Sequence, residues 1–337
     1  MNDLRWFAPN RYCTLPVPGL REAGLTIDPD GDGPARLVVI ADGSMVRQGF
    51  GYARRHRVPW LVYLWDIKPW EVGGGRPDLV LPIGRFLGKL PRIVGGYPER
   101  SGYWSRLRFM ARRAVEVWCP SSEAVGAVRA RFGVAAVEVP FCYDSDRFSA
   151  AAGRVLQSPN ARPVILSVSR LVDYKNHAAV IRAAARLGGS PLVRLIGQGP
   201  EESALRALAR ERGVELQLDE HQVSDDEVVD AYRHAAVVVC PSRFEGFGLT
   251  PMEGLAMGIP VVASDIGPHR EFVSRWVRLF PVNDEDRLVE QLAAALSGDQ
   301  RGQPEQVESP IPGLGIEACV ARFLPQLERL LARSRLP

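Results

Sequence analysis

The chain has 337 residues, more than one hydrophobic core usually serves, so its length predicts two domains of roughly 150 residues each. Apolar residues make up 46% and charged residues 24% of the chain, fractions that are ordinary for a soluble globular protein. No apolar run approaches the ~18 residues of a membrane-spanning helix and the N-terminus lacks a signal-peptide pattern, so we expect a cytoplasmic protein.

The first half of the chain contains short apolar runs separated by polar or helical stretches. The runs that predict strands are residues 4–8, 36–41, 60–65, 79–82, 115–119 and 137–141. Helices are predicted at 46–57 and 122–132. Strands that alternate with crossovers indicate a parallel sheet, in which ligands bind at the carboxyl ends of the strands. The loops at that edge begin at Pro9, Asp42 and Asp66.

The alternation of predicted strands and helices is interrupted at residues 151–162, which are small and polar and are typical of an interdomain linker. It then restarts. Strands are predicted at 164–168, 192–196, 214–218, 235–239 and 260–263, and helices at 178–187, 200–212 and 225–234. We therefore expect an α/β protein with Rossmann-like domains at 1–150 and 163–315 that face each other across a cleft. A C-terminal helix at 316–337 packs back on the first domain in this interpretation.

The stretch from Cys240 to Pro260 follows a predicted buried strand. Thr250, Pro251 and Glu253 are spaced as an N-cap, a first helical residue and a capping-box glutamate. The backbone N–H groups of residues 246–250 and the helix N-terminus predict an anion site, flanked by Glu245 and Glu253. Glu253 has the alternative of serving the helix cap alone.

Two basic residues follow the strand at 164–168. Arg170 offers a guanidinium fork and Lys175 a point charge for phosphate oxygens at the same edge of the sheet. The alternative is two solvated loop residues. A dinucleotide fingerprint is absent, because the turn Gly197-Gln198-Gly199 continues into Pro200 without a third glycine.

Taken together, the segments PSRFEGFGLTPMEGLAMGIPVVASDIG, SVSRLVDYKN and IGQGPEESAL resemble one known family. They are similar to those of the retaining nucleotide-sugar glycosyltransferases of GT-B fold, specifically glycosyltransferase family 4 (glycosyl transferases group 1). The resemblance covers residues 115–290 well and the first part of the chain poorly. It implies transfer of a sugar from a nucleotide-diphosphate sugar to an acceptor hydroxyl, with retention of configuration.

The resemblance also implies roles for individual residues. Arg170 and Lys175 would hold the donor's diphosphate, Glu253 would bind the ribose hydroxyls, and Glu245 would contact the transferred sugar. The remaining donor contacts that it implies are Gly197, Gly199, Phe247, Gly248, Leu249 and Thr250. No protein nucleophile is assigned.

We expect no cofactor and no metal at this site. Arg170, Lys175 and the helix that begins at Pro251 would stabilise the charge of the leaving diphosphate electrostatically. Asp144 and Asp146 have metal-like spacing, but they match a structural element of the family beside the linker. The five cysteines are scattered without a CxxC pair, which argues against a disulfide framework and a zinc site.

The acceptor side departs from the family. A His-Asp pair often follows the fourth strand there, whereas this chain has Trp65-Asp66. Asp66 is the candidate for contacting the acceptor or the donor sugar, and its alternative is an ordinary loop-capping aspartate. The acceptor is left open as a glycan, a lipid-linked molecule or a small molecule.

Residues 1–150 contain 21 Lys and Arg against 15 Asp and Glu. Five of these arginines lie between Arg100 and Arg113, interleaved with apolar and aromatic residues. Such a stretch predicts peripheral contact with an anionic membrane, on its inner face for a cytoplasmic protein, or contact with a phosphate-bearing acceptor, or else a helix whose basic side is merely solvated. No nucleic-acid-binding module is recognisable.

Two other functions stay open at this point. One is a nucleotide-sugar isomerase or hydrolase of the same fold, which needs no acceptor. The other is a non-catalytic protein that binds a nucleotide sugar.

Overall fold

The structure is a computed structural model, and it describes residues 2–28, 33–65, 103–149, 162–219, 223–298 and 311–333. It divides into two compact units, of which the first is Met1–Val139 with Arg322–Pro337 and the second is Pro140–Ala321. The predicted strand at 79–82 and the predicted linker, apart from Arg162, lie outside the described residues, so both stay predictions.

The first unit contains a parallel sheet. Its strands are β1 (Asn2–Phe7), β2 (Ile27–Asp28), β3 (Ala35–Ile40), β4 (Trp60–Tyr63), β5 (Glu116–Cys119) and β6 (Val137–Glu138). Its helices are α1 (Val17–Glu22), α2 (Val46–His56), α3 (Tyr103–Ala111) and α4 (Ser122–Phe132). Within the described residues the strand order is β2-β1-β3-β4-β5-β6. Buried side chains from β3, β4 and β5 pack against α2, α3 and α4 and form one core.

The second unit contains another parallel sheet. Its strands are β7 (Val164–Val168), β8 (Leu192–Ile196), β9 (Leu216–Leu218), β10 (Val237–Cys240), β11 (Val261–Ser264) and β12 (Arg278–Phe280). Its helices are α5 (His177–Ala184), α6 (Glu202–Arg212), α7 (Asp225–Arg233), α8 (Leu249–Ala256), α9 (Gly267–Phe272) and α10 (Glu285–Leu296), and α11 (Ile316–Arg333) continues into the first unit. β7, β8, β10 and β11 are largely buried because helices cover both faces, which explains their continuous apolar sequences.

The strand order of the second sheet is β12-β11-β10-β7-β8-β9 over the described residues. The chain moves outward from β7 through β8 to β9, and then returns to the other side of β7 with β10. β7 and β10 therefore flank the topological switch point, where the loops at their carboxyl ends diverge and leave a crevice. Such crevices are the usual ligand sites of doubly wound sheets.

The division between the units falls earlier than the boundary predicted at residue 150. Residues 140–149 pack on the second unit: the Tyr143 amide donates to the Leu314 carbonyl at 3.2 Å, and the Phe148 ring meets Tyr232 edge-on at 5.3 Å between centroids. Arg147 donates to Asp226 at 3.2 Å. These long-range contacts cannot be inferred from the local polar composition that marks the predicted linker.

The C-terminal helix packs on the first unit, as predicted. Its Phe323 ring lies 5.1 Å from the Trp118 ring, and Arg329 donates to both carboxylate oxygens of Glu116 at 2.8 Å. Among the helices that the structure describes, none combines the length and the apolar character needed to cross a membrane.

Candidate functional site

The candidate site lies at the switch point of the second sheet. Arg170 and Lys175 follow β7, and Glu245 follows β10, its neighbour in the sheet. Residues that are 70 positions apart in the chain therefore meet at one edge. This juxtaposition was predicted from the sequence.

Lys175 and Glu245 form a tight ion pair. The Lys175 Nζ atom lies 2.6 Å from Oε1 and 2.7 Å from Oε2 of Glu245, so one ammonium contacts both carboxylate oxygens. The two side chains are only 12% and 13% exposed. A charge-assisted contact of this length and burial is stronger than a solvated surface pair.

The carboxyl of Glu245 stays ionised despite its surroundings. Burial by itself would raise its pKa, but the Lys175 ammonium opposes this electrostatically, and hydrogen bonds from Lys175 and Ser242 add to its effect. The net result is a pKa below the usual glutamate value. At neutral pH the site therefore presents a carboxylate, which accepts hydrogen bonds and donates none.

A layer of neutral polar groups lies beneath this carboxylate. Ser242 Oγ donates to Glu245 Oε1 at 2.6 Å, and the Cys240 Sγ atom lies 3.8 Å from the same oxygen. His269 Nε2 is 3.7 Å from Cys240 Sγ, and its Nδ1 is 2.8 Å from the backbone oxygen of Ser264. Since a carbonyl can only accept, Nδ1 carries the proton and Nε2 accepts.

The protonation of this layer follows from burial. Burial, together with the Glu245 charge, raises the pKa of the Cys240 thiol to about 12, so Cys240 is a thiol at neutral pH. Burial also lowers the pKa of His269, which outweighs the opposite effect of Glu245. The sequence analysis missed Ser242 and His269. The one available signal was their position, because each follows the carboxyl end of a strand next to the site.

Arg170 and Lys175 share a contact with Tyr174. Arg170 Nη2 donates to the Tyr174 hydroxyl, and the Arg170 Cζ and Lys175 Nζ atoms lie 5.8 Å and 5.5 Å from the Tyr174 ring centroid. The structure thus brings both predicted phosphate-binding residues to one place. Arg170 is an exposed residue.

Gly197 and Gly199 allow two loops to touch. A β-carbon at Gly197, whose φ is +150°, would lie 1.9 Å from the Ser169 carbonyl oxygen. At Gly199 it would lie 2.1 Å from the Leu171 carbonyl oxygen. The Leu171 amide donates to the Gln198 carbonyl at 2.9 Å, so the loop after β8 fixes the loop that carries Arg170. The predicted contact of these glycines with the donor stays a prediction.

The predicted capping box at the start of α8 is wrong. The helix begins one residue before Thr250, with Gly248 at the N-cap in the left-handed region (φ 92°), and no side chain caps it. The Thr250 hydroxyl instead donates to the Val168 carbonyl at 2.8 Å, at the end of β7. Tertiary packing against β7 therefore overrides the local capping signal. The amides of Phe247, Gly248 and Leu249 remain at the helix N-terminus, beside Glu245.

Glu253 is buried on α8, with 4% of its surface exposed. Its Oε2 atom accepts a hydrogen bond from the Tyr232 hydroxyl at 2.7 Å, which joins α8 to α7. Because α8 begins at Leu249, Glu253 is the fifth residue of the helix and not the capping-box residue predicted at its third position. Its predicted contact with ribose stays a prediction.

Two further predictions are untested by this geometry. Asp66, the candidate on the acceptor side, lies outside the described residues. In the part of the chain that the structure describes, no three side chains among His, Cys, Asp and Glu are grouped as metal ligands. Whether the reaction is independent of metal stays a prediction.

Comparison with known proteins agrees with this placement. Residues 151–308 match the family Glycosyl transferases group 1. The matched segment contains every site residue of the second unit discussed above. A D-inositol 3-phosphate glycosyltransferase of Acidothermus cellulolyticus is 38% identical over 132 residues, which are 35% of this chain and 30% of that protein. The lipopolysaccharide core biosynthesis mannosyltransferase LpsB of Rhizobium meliloti is 41% identical over 76 residues, 22% of each chain.

The matched stretches span 22% to 42% of the length of three such curated relatives. Among solved structures, Anabaena Alr3699/HepE in complex with UDP and glucose covers 100% of both chains with a TM-score of 0.65 at 14% identity. At this identity the likeness shows the fold. The GT-B class predicted from the sequence is confirmed.

Proposed function

We propose that this chain is a retaining glycosyltransferase that moves a sugar from a nucleotide-diphosphate sugar to an acceptor hydroxyl. The observation that carries the proposal is the buried Lys175–Glu245 pair at the switch point, inside the segment that matches the group 1 glycosyltransferases. The pair combines a cation for a leaving phosphate with a carboxylate for sugar hydroxyls. Sugar transfer from a diphosphate can use both groups.

The diphosphate binds at the exposed guanidinium of Arg170 and the ammonium of Lys175. Breaking the bond between sugar and phosphate leaves negative charge on the distal phosphate. Arg170, Lys175 and the N-terminus of α8 stabilise that charge by electrostatics, so the leaving group departs without a metal ion. The amides of Phe247, Gly248 and Leu249, with Thr250 beside them, contact the distal phosphate and the sugar.

The carboxylate of Glu245 accepts hydrogen bonds from hydroxyls of the transferred sugar. Glu253, which Tyr232 orients, accepts from the ribose hydroxyls. Gly197 and Gly199 let the nucleoside approach the backbone closely. Asp66 is retained in the proposal as a contact to the acceptor or the donor sugar. No protein nucleophile is assigned, and the acceptor attacks from the face that the diphosphate leaves.

The acceptor is a glycan, a lipid-linked molecule or a small molecule. The protein acts in the cytoplasm, and the basic stretch from Arg100 to Arg113 places it peripherally on the inner face of the membrane. Family-4 membership belongs to the same proposal.

The proposal is tested by incubating the chain with a panel of nucleotide-diphosphate sugars and candidate acceptors, in buffer with EDTA. We expect a donor that raises the melting temperature, since a ligand at 100 times its dissociation constant adds about 2.7 kcal/mol of stability. We also expect sugar transfer that requires an acceptor, survives EDTA and keeps the anomeric configuration of the donor by NMR.

Each contrary result has a definite meaning. Turnover of the donor without any acceptor identifies an isomerase or hydrolase. Donor binding without turnover across the acceptor panel identifies a binding protein. Activity that EDTA removes and a divalent ion restores contradicts the electrostatic account of the leaving group, and an inverted product contradicts retention.

A further inference from the structure

Two arginine-rich helices of the first unit lie side by side. α2 and α3 each bury an apolar side in the same core, α2 through Tyr52 and Ala53 and α3 through Leu107 and Met110. Their other sides meet through aromatic rings, because Phe50 of α2 contacts Phe109 of α3 edge-on. The ring centroids are 5.9 Å apart.

A stripe of arginines runs along α2 through this contact. Arg47, Phe50, Arg54 and Arg57 are three or four residues apart, so they share one face of the helix and its C-terminal end. The three arginines are exposed. The sequence analysis did not single out this helix.

A second stripe runs along α3. Arg106 and Phe109 are three residues apart on one face of α3, and Arg113 lies in the turn that follows the helix; Arg106 and Arg113 are exposed. The Arg113 guanidinium lies 3.8 Å over the Phe109 ring centroid, and the Phe109 side chain is 42% exposed. We call the two stripes together the arginine face: Arg47, Phe50, Arg54, Arg57, Arg106, Phe109 and Arg113.

The charge of this face is not balanced. No acidic residue occurs in 46–57 or 103–113. Within the part of the chain that the structure describes, no carboxylate pairs with any of the five arginines. Helix dipoles favour arginine in a last turn, which accounts for Arg54, but Arg47 lies in the first turn of α2, where a positive charge is unfavourable. Helix stability therefore does not explain the stripe.

We infer that the arginine face binds the surface of an anionic lipid bilayer. Five guanidiniums on one face match headgroup phosphates, each of which takes a bidentate hydrogen bond. The exposed Phe109 ring at the centre of the charges matches the boundary between headgroups and acyl chains. A single-stranded or duplex nucleic acid would use the same charges, but the apolar centre favours lipid. The inference extends the predicted contact of the stretch from Arg100 to Arg113 to α2.

The test is co-sedimentation of the full chain with phosphatidylcholine vesicles, with and without phosphatidylglycerol. We expect binding only to the anionic vesicles, and its loss at about 1 M NaCl, where the Debye length is about 3 Å. In the variant Arg47→Gln/Arg54→Gln/Arg106→Gln/Arg113→Gln, affinity should fall at least about a hundredfold, because each arginine near the surface is worth roughly fivefold. Phe109→Ser should weaken binding severalfold.

A matched control removes the same charge from the second unit. The variant Arg186→Gln/Arg210→Gln/Arg270→Gln/Arg275→Gln replaces four exposed arginines there, and it should bind anionic vesicles like the wild type. Equal loss in both quadruple variants would show that net charge alone is responsible and would overturn the inference. So would equal binding to neutral vesicles, or binding to RNA without binding to vesicles.

Two further readouts keep the test decisive. The melting temperature of each variant shows whether it folds. If a quadruple variant does not fold, the salt and lipid dependence of wild-type binding still tests the inference. Donor-induced stabilisation of the arginine-face variant should equal that of the wild type, because the donor site lies in the second unit. The inference and the proposed sugar transfer therefore fail separately.

Discussion

Glu245 holds a negative charge where burial opposes it. The carboxylate is ionised because Lys175 contacts both of its oxygens and Ser242 donates to one of them. The groups below it, Cys240 and His269, are neutral at pH 7. The ion pair is therefore the main charge interaction of the described site, and under the proposed function a diphosphate would compete with Glu245 for the Lys175 ammonium.

This pair can be tested by a double-mutant cycle. Lys175→Met leaves the Glu245 charge buried without its cation, so we expect the free energy of unfolding to fall by about 3 kcal/mol, the lower end for a broken buried pair. Adding Glu245→Gln removes the orphaned charge and should restore part of that loss. Both single variants and the double variant should lose sugar transfer. Urea unfolding at pH 7.5 and transfer assays measure the two effects.

The cycle has an internal check. Because burial alone raises the pKa of Glu245, the carboxyl in Lys175→Met should take up a proton more readily, and this variant should lose less stability than the wild type as the pH falls from 7.5 towards 5. Additive effects of the two substitutions, or a Lys175→Met variant as stable as the wild type, would show that Lys175 and Glu245 do not interact in solution. Glu290→Gln, which removes an exposed carboxylate, is the matched control.

At the scale of elements, the site depends on two loops held together by backbone. The loop after β7 carries Arg170 and Lys175, and the loop after β8 supports it through Gly197 and Gly199. His177, at the start of α5, reinforces the first loop, since its Nε2 atom lies 2.9 Å from Ser169 Oγ and 3.3 Å from the Arg170 carbonyl oxygen. The position of Arg170 is thus set by residues that carry no charge.

Gly197→Ala tests this support. The added β-carbon would meet the Ser169 carbonyl carbon at 2.8 Å and its oxygen at 1.9 Å, both of them backbone atoms, so one loop must move. We expect a loss of about 2 kcal/mol or more in the free energy of unfolding and weaker donor binding in thermal-shift titrations. The control is Gly126→Ala in α4, where a β-carbon meets nothing within 4 Å. That change should stabilise the protein by up to about 1 kcal/mol. A Gly197→Ala variant as stable as the wild type would show that the loops do not depend on their close approach.

At the scale of the whole molecule, the sequence predicted the elements whose periodicity is strong. The strands at 164–168 and 192–196 match β7 and β8, because strands buried on both faces appear as continuous apolar runs. β2 and β12, of two and three residues, are too short to leave a pattern, and neither was predicted. The helix start at Thr250 was misplaced because packing against β7 decides it.

The sequence analysis singled out the charged residues of the candidate site and missed the neutral residues that contact them. Arg170, Lys175 and Glu245 stand out as charged residues on loops after strands, where charge has no obvious structural use. Ser242 and His269 are neutral and lie in two different loops, so only the strand order shows that they meet under Glu245. The arginine stripe of α2 was missed for the same reason, because α3, which lies beside α2 in the structure, is distant from it in the sequence.

The buried histidines determine how the stability of the whole chain depends on pH. Burial lowers the pKa of His177 to about 4 from its ordinary value of 6.5, against opposing hydrogen bonds to the backbone. Burial also lowers the pKa of His269. Below pH 6.5 the unfolded chain therefore binds protons that the folded chain does not. Stability is complete above pH 6.5 and falls as the pH drops towards 4. Glu245, with its lowered pKa, adds a loss of the same sign below 4.5.

We expect His177 alone to account for about 3 kcal/mol of that loss between pH 6.5 and 4, from a pKa difference of roughly 2.5. Urea unfolding at intervals across this range should give a steep fall in the wild type and a shallower one in His177→Gln, because glutamine has no proton to gain. His234→Gln, which removes a partly exposed histidine, should keep the wild-type slope. If His177→Gln also kept the wild-type slope of stability against pH, the His177 imidazole would be protonated in the folded chain. Its hydrogen bond to Ser169 would then be rearranged, and with it the loop that positions Arg170.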